Sequence, residues 1–260
     1  MPTMASPNLQ VSPPASALAL APVPAAPKIR VKTTWPTVGS HSSRTPIRTE
    51  RLLICPHDAA YIEAIFEMRK QPEVMTWTAL GVTDTDIEQS RTFVERFLPP
   101  KDLESYNFAV LYLGDAGENA DADGVLVGVA GAHRVSPEQG WPEVGYLFRK
   151  EYWGKGLGTE FLRGFTKAWW ALPRNEIELE VDAASVGKIG EGEGEKSDDA
   201  VIQVPERLVA IIEARNIGSR RVLEKAGFEE CATWSEPDSR AGFEGLDAHL
   251  VKFRLEAPES

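Results

Sequence analysis

Three glycines in five residues, Gly154, Gly156 and Gly158, precede an amphipathic stretch in the run Tyr152-Trp153-Gly154-Lys155-Gly156-Leu157-Gly158-Thr159-Glu160. Glycine lets the backbone turn tightly and approach a ligand with no Cβ in the way, and the first N–H groups of the following helix have no intrahelical partner. Those N–H groups and the positive end of the helix dipole both favour an anion, so a phosphate suits the place where the helix starts. Leu157, Phe161, Phe165 and Trp169 recur every four residues on one helical face, and Pro173 marks the stop. A plain strand-to-helix turn has the same glycine spacing, so this run alone leaves both readings open.

Further along stands Ala214-Arg215-Asn216-Ile217-Gly218-Ser219-Arg220-Arg221-Val222-Leu223-Glu224-Lys225-Ala226-Gly227-Phe228, a second helix closing on a glycine. Together the two segments resemble the GNAT N-acetyltransferase superfamily, whose pyrophosphate loop reads Arg/Gln-x-x-Gly-x-Gly/Ala and whose later segment begins Asn-x-x-Ser and ends Gly-Phe. Thr49-Glu50-Arg51-Leu52-Leu53-Ile54 looks like the opening strand of the ribosomal-protein alanine acetyltransferase (RimJ/RimL-like) branch, and Pro142-Glu143-Val144-Gly145-Tyr146-Leu147-Phe148 like its fourth strand. Trp153 stands where the family often has Arg or Gln, which keeps the backbone cradle and removes one charged contact.

The resemblance implies an α/β (α+β) fold with a mixed, mostly antiparallel central sheet of about seven strands flanked by about four helices. It implies acetyl-CoA as co-substrate, no metal, and an amine-bearing acceptor, either a protein N-terminus or a small molecule. Backbone groups around Gly154, Lys155, Gly156, Gly158 and Thr159 would take the pyrophosphate, Leu147, Phe148 and Arg149 would border the pantetheine arm, and Asn216 would contact the cofactor region or simply cap its helix.

Acetyl transfer to such an amine needs a base, because a lysine-like amine with a pKa of about 10.4 is protonated at neutral pH. Glu143 lies close to where several family members place a catalytic glutamate, and partial burial would make it a better base; the alternative is a structural hydrogen bond. The thiolate in turn needs a proton. Many relatives use a tyrosine at the position occupied here by Leu223, which leaves Ser219, Tyr146 or a water as the source. A non-catalytic acyl-CoA-binding or protein-interaction module of the same fold is the rival reading.

The 260-residue chain has a net charge of −11, which argues against a nucleic-acid-binding surface. Five bases and no acid lie before Glu50, leaving −16 for the rest, a field that would attract a cationic amine or merely aid solubility. No apolar run is long enough to cross a membrane, and the two cysteines, Cys55 and Cys231, form neither a disulfide framework nor a zinc spacing; a cytoplasmic protein is expected. Residues 1–45, rich in Ala, Pro and Ser, read as a disordered tail, with organelle targeting a weaker alternative.

The domain is expected over 46–257. Strands are expected near 49–55, 106–113, 125–134 and 143–149, with a helix from Asp58 to Lys70 and another opened by a Thr85/Glu88 capping box. Ile177, Leu179 and Val181 alternate with acids as in a half-buried strand, and an acidic, Gly-rich insertion at about 187–203 follows. A strand at 208–214, the Asn216 helix and two closing strands complete the pattern.

Overall fold

The computed structural model describes residues 27–115, 124–135, 140–187 and 201–258. In chain order the first strands and helices are β1 (Lys28–Pro36), β2 (Ile47–Arg48), β3 (Leu52–Cys55), α1 (Ile62–Arg69), α2 (Pro72–Met75), α3 (Ile87–Glu95), β4 (Tyr106–Tyr112), β5 (Val125–Arg134) and β6 (Glu143–Phe148). Then come α4 (Leu157–Trp170), β7 (Arg174–Asp182), α5 (Ala183–Val186), β8 (Ile202–Gln203), β9 (Arg207–Glu213), α6 (Ile217–Lys225), β10 (Glu229–Pro237) and β11 (Asp247–Glu256).

Eight strands form one sheet in the order β10-β11-β9-β6-β5-β4-β3-β2, one more than expected. Its neighbours are antiparallel except β6 and β9, which run parallel and pair only at Glu143 and Val209. Past that pair the two strands part, which opens the middle of the sheet. One face packs on α4 and α6: Leu157, Phe161, Phe165 and Trp169 of the predicted stripe all enter the core beside Phe108, Val110 and Leu223. The other face packs on α1 and α3 through Ile62, Ile65, Met68 and Val94. Strands covered on both faces read as continuous apolar runs, as Tyr106–Tyr112 does.

Part of the stretch expected to be a disordered tail forms a strand, at Lys28–Pro36. Residues 1–26 lie outside the described residues, but β1 is ordered and pairs antiparallel with β7 along its whole length, from Lys28 opposite Asp182 to Pro36 opposite Arg174. Ile29, Val31, Thr33 and Trp35 alternate with Lys28, Arg30, Lys32 and Thr34, and the bases meet acids on β7: Arg30 with Glu178 at 3.0 Å and Lys32 with Glu176 at 2.8 Å. The strand expected at 177–181 therefore forms, but in a separate three-stranded sheet, β7-β1-β8. Its apolar face, Val31, Leu179 and Val181, joins Trp141 and Val209 in a small core of its own.

Of the expected insertion, 188–200 lies outside the described residues, while Ile202–Gln203 at its end pairs with β1. Residues 116–123, between β4 and β5, are likewise outside them. The capping box falls one residue later than expected. Asp86 caps α3, its Oδ1 accepting Glu88 N at 2.9 Å while Gln89 Oε1 accepts Asp86 N at 3.1 Å, because Asp86 is the last residue with extended backbone before the helix.

Candidate active site

A cavity of about 620 Å³ occupies the opening between β6 and β9. Tyr146, Leu147 and Phe148 line it from β6, the glycine loop and the start of α4 from the next segment, Asn216 to Ser219 with Arg221, Val222 and Lys225 from α6 and its N-cap, and Val74 and Trp77 from α2 and the residues after it.

The glycines do two different jobs. Gly154 (φ 74°) and Gly156 (φ 80°) hold left-handed backbone, which costs other residues about 1–2 kcal/mol. Gly158 is helical, and a Cβ there would touch both Val222 methyls at 3.4 Å, so its role is the close packing of α4 on α6. Gly156 is the N-cap of α4 and has no side chain to satisfy the first-turn N–H groups of Leu157, Gly158 and Thr159, and all four residues line the cavity. The helix end thus presents unsatisfied donors and a positive dipole to the cavity, the local requirement for an anion.

A clamp from the start of the sheet holds this loop in place. Glu160, in the first turn of α4, accepts hydrogen bonds from Thr49 Oγ1 at 2.6 Å, Arg51 N at 2.7 Å and Arg51 Nε at 2.8 Å. Arg51 Nη1 reaches on to the carbonyl of Lys155 at 3.1 Å, inside the loop. Thr49 and Arg51 belong to the segment that resembles the opening strand of the ribosomal-protein branch, and their side chains position the loop.

The lining residues include Arg215, Arg221 and Lys225 and not one Asp or Glu, in a chain of net charge −11. The cavity is thus electropositive within an acidic protein, which suits an anionic ligand.

Eight of the predicted site residues line the cavity together: Leu147, Phe148, Gly154, Gly156, Gly158, Thr159, Asn216 and Ser219. Asn216 also caps α6, its Oδ1 accepting Ser219 N at 3.0 Å, so the structural and cavity-lining roles coincide. Tyr146 donates its hydroxyl to Ser219 O at 3.3 Å, and burial pushes the phenol up to about 12, so it stays neutral. Leu223 is fully buried in the core between the helices and offers the cavity nothing.

Three predicted residues are not in the wall. Lys155 contributes its carbonyl to Arg51 and lays its ammonium over the Tyr152 ring at 4.9 Å. Arg149 sits beside Glu151 at 3.7 Å, while its backbone N–H bonds Val127 O at 2.8 Å and anchors the end of β6. Glu143 lies at the closed end of the split, still paired with Val209, its side chain 16% exposed and its Oε1 3.4 Å from His133 Nε2. At about 3.3 Å per residue it stands roughly 10 Å along the strand from Tyr146.

Several wall residues escaped the sequence reading. Arg221 and Lys225 are four apart on α6 and so share a face, a signal present in the sequence. The partners of Glu160 and Glu143 had none, being contacts between distant segments. Among the described residues no group of three or more His, Cys, Asp or Glu is placed to hold a metal ion, and no helix is long and apolar enough to cross a membrane.

Comparison with known proteins places this geometry in a family. Residues 51–229 match the family described as acetyltransferase (GNAT) domain. No match was found among curated proteins. Among solved structures, an acetyltransferase (GNAT family) from Bacillus anthracis is 23% identical, with 83% of this chain and 100% of that one covered and a TM-score of 0.55. The RimL ribosomal L7/L12 alpha-N-protein acetyltransferase in complex with coenzyme A is 13% identical, covering 82% and 98%, with a TM-score of 0.57. The microcin C7 self-immunity acetyltransferase in complex with acetyl-CoA and AMP is 13% identical, covering 80% and 93%, with a TM-score of 0.55. At such identities these likenesses speak for the fold, and the family match across most of the chain decides the membership: this chain belongs to the GNAT acetyltransferase family.

Proposed function

We propose that this protein is an acetyl-CoA-dependent N-acetyltransferase that acylates a primary amine. One observation carries the reading: the uncapped N-terminus of α4, led by the left-handed Gly156, opens onto an electropositive cavity between two parted strands. The residues fit acetyl-CoA on physical grounds. The N–H groups of Leu157, Gly158 and Thr159 would hold the pyrophosphate, with Arg221 and Lys225 supplying positive charge nearby. Where β6 has left β9, the backbone edge at Leu147 and Phe148 can pair with an extended, amide-bearing arm as a strand would. When bound, acetyl-CoA supplies a thioester whose carbonyl carbon is open to attack by a neutral amine.

The chain's own task is to make the amine neutral. Glu143, with His133 beside it, is the base we assign; from the closed end of the split it would draw the proton through water. Ser219 supplies the hydroxyl at the opposite wall for the returning proton, since the Tyr146 phenol is already committed to the Ser219 carbonyl. Exposed Trp77, Leu80, Val82 and Leu246 give the protein apolar surface of the kind that suits a peptide better than a small polar amine, and the RimL protein named above supports a protein N-terminus as acceptor. The distance of Glu143 from the cavity wall and the burial of Leu223 favour the rival, a non-catalytic acyl-CoA-binding module.

Titration calorimetry with acetyl-CoA, followed by thiol release across a panel of peptides and small amines, separates the two. Tight binding with turnover of at least one amine is expected. Binding without turnover on every amine would leave the module reading.

A further inference from the structure

Arg240 stands outside the cofactor machinery, on the connection between β10 and β11, and is 8% exposed. Its guanidinium is fully engaged by three segments of chain. Nε donates to Asp238 Oδ1 at 2.9 Å within its own connection. Nη1 donates to Glu213 Oε2 at 2.8 Å, at the end of β9, and to the carbonyl of Thr76 at 2.8 Å, in the segment after α2. The Phe243 ring lies 4.3 Å from its Cζ on the remaining side. Gly81 folds over the stem so closely that a Cβ there would come within 2.7 Å of Arg240 Cβ.

Two of these partners lead directly to the cavity wall. Thr76 precedes Trp77, which lines the cavity. Glu213 also takes an ion pair from Arg215, which lines the cavity as well. One planar fork therefore ties together two chain segments that each carry a cavity-lining residue, and a fixed multi-pronged geometry is what guanidinium offers and ammonium does not. The Asp238 carboxylate, held down to about 2 by the Arg240 hydrogen bonds, keeps its charge throughout the working pH range.

We propose that Arg240 is a positioning residue for the acceptor: it latches the Thr76–Gly81 segment to the β10–β11 connection and to the end of β9, setting the width of the entrance between Trp77 and Arg215. The inference rests on the acetyltransferase reading for its functional half, whereas the latch itself does not.

The test uses Arg240→Gln, Arg240→Lys and, against a folding failure of either, Glu213→Gln. Hydrogen–deuterium exchange on the full chain reads the latch without activity. Loss of protection in both 76–82 and 238–246, with the glycine loop unaffected, is expected in Arg240→Gln, and Arg240→Lys should restore less than half of it, because a point charge cannot span three acceptors. Unchanged exchange at 76–82 would overturn the latch. With any amine that wild type acetylates, the acceptor KM should rise about tenfold or more while acetyl-CoA affinity changes less than threefold, since only one end of the cavity is loosened. A parallel loss of acetyl-CoA affinity, or an unchanged acceptor KM, would overturn the positioning role. If wild type binds acetyl-CoA but acetylates no amine, the acetyltransferase reading fails and the acceptor role with it, and the exchange result then stands on its own.

Discussion

Replacing Glu160 by alanine removes one acceptor that serves three donors at once: Thr49 Oγ1, Arg51 N and Arg51 Nε, all between 2.6 and 2.8 Å. An exposed ion pair contributes about 0–1 kcal/mol. The Glu160 carboxylate is only 15% exposed, however, and it satisfies a backbone N–H as well as a cation. Hydrogen bonds to charged groups contribute roughly 1.5–3 kcal/mol each before water compensates the freed donors. Arg51, 24% exposed, regains part of its hydration, so a net loss of about 2–4 kcal/mol is expected, including the few tenths owed to an acid in the first helical turn. For a domain of this size that lowers Tm by roughly 4–16 °C. Thermal unfolding by circular dichroism at low and high salt measures it. Glu160→Gln should recover about half, since its remaining oxygen can still serve Thr49 Oγ1 and Arg51 N. Thr49→Val added to Glu160→Ala should cost little more, as the two share one network. Because Arg51 also holds the Lys155 carbonyl, acetyl-CoA should bind several-fold more weakly. A Tm drop below about 2 °C that vanishes in salt, or additive losses in the double variant, would refute the clamp.

Deleting residues 1–36 removes β1 and uncovers Val31's partners Leu179 and Val181, so unfolding should cost at least about 3 kcal/mol less than after deletion of residues 1–26; equal stability of the two truncations would contradict the second sheet. Glu143→Gln should lower kcat/KM by about 10²–10⁴-fold with acetyl-CoA affinity kept and the acid limb of the pH profile lost, and a near wild-type rate with that limb intact removes Glu143 from the mechanism. His57 is buried and its pKa is pulled down to about 4 by burial, with an Asn107 bond at 2.9 Å opposing the shift. The unfolded chain therefore takes the proton first: the stability is complete above the ordinary histidine value and is lost as pH falls toward about 4, on the order of 2–3 kcal/mol. His57→Gln should flatten that acid limb in denaturant titrations; an unchanged slope would show that other groups set it.

The elements around the glycine loop were legible because they rest on local periodicity. Leu157, Phe161, Phe165 and Trp169 define one helical face whatever they pack on, and Gly154, Gly156 and Gly158 state the backbone's freedom directly. The alternation of Ile29, Val31, Thr33 and Trp35 is equally local, yet it abuts the proline-rich tract, whose composition masks it. What this strand pairs with could not be read, because β7 begins far downstream and pairing follows from which apolar faces remain uncovered once the main sheet has formed. The same holds for single side chains. Nothing about Thr49 and Arg51 names Glu160, and nothing about Arg240 names Thr76 or Glu213. Such contacts carry no period, so only the tertiary packing decided which carboxylate, carbonyl or guanidinium each of them meets.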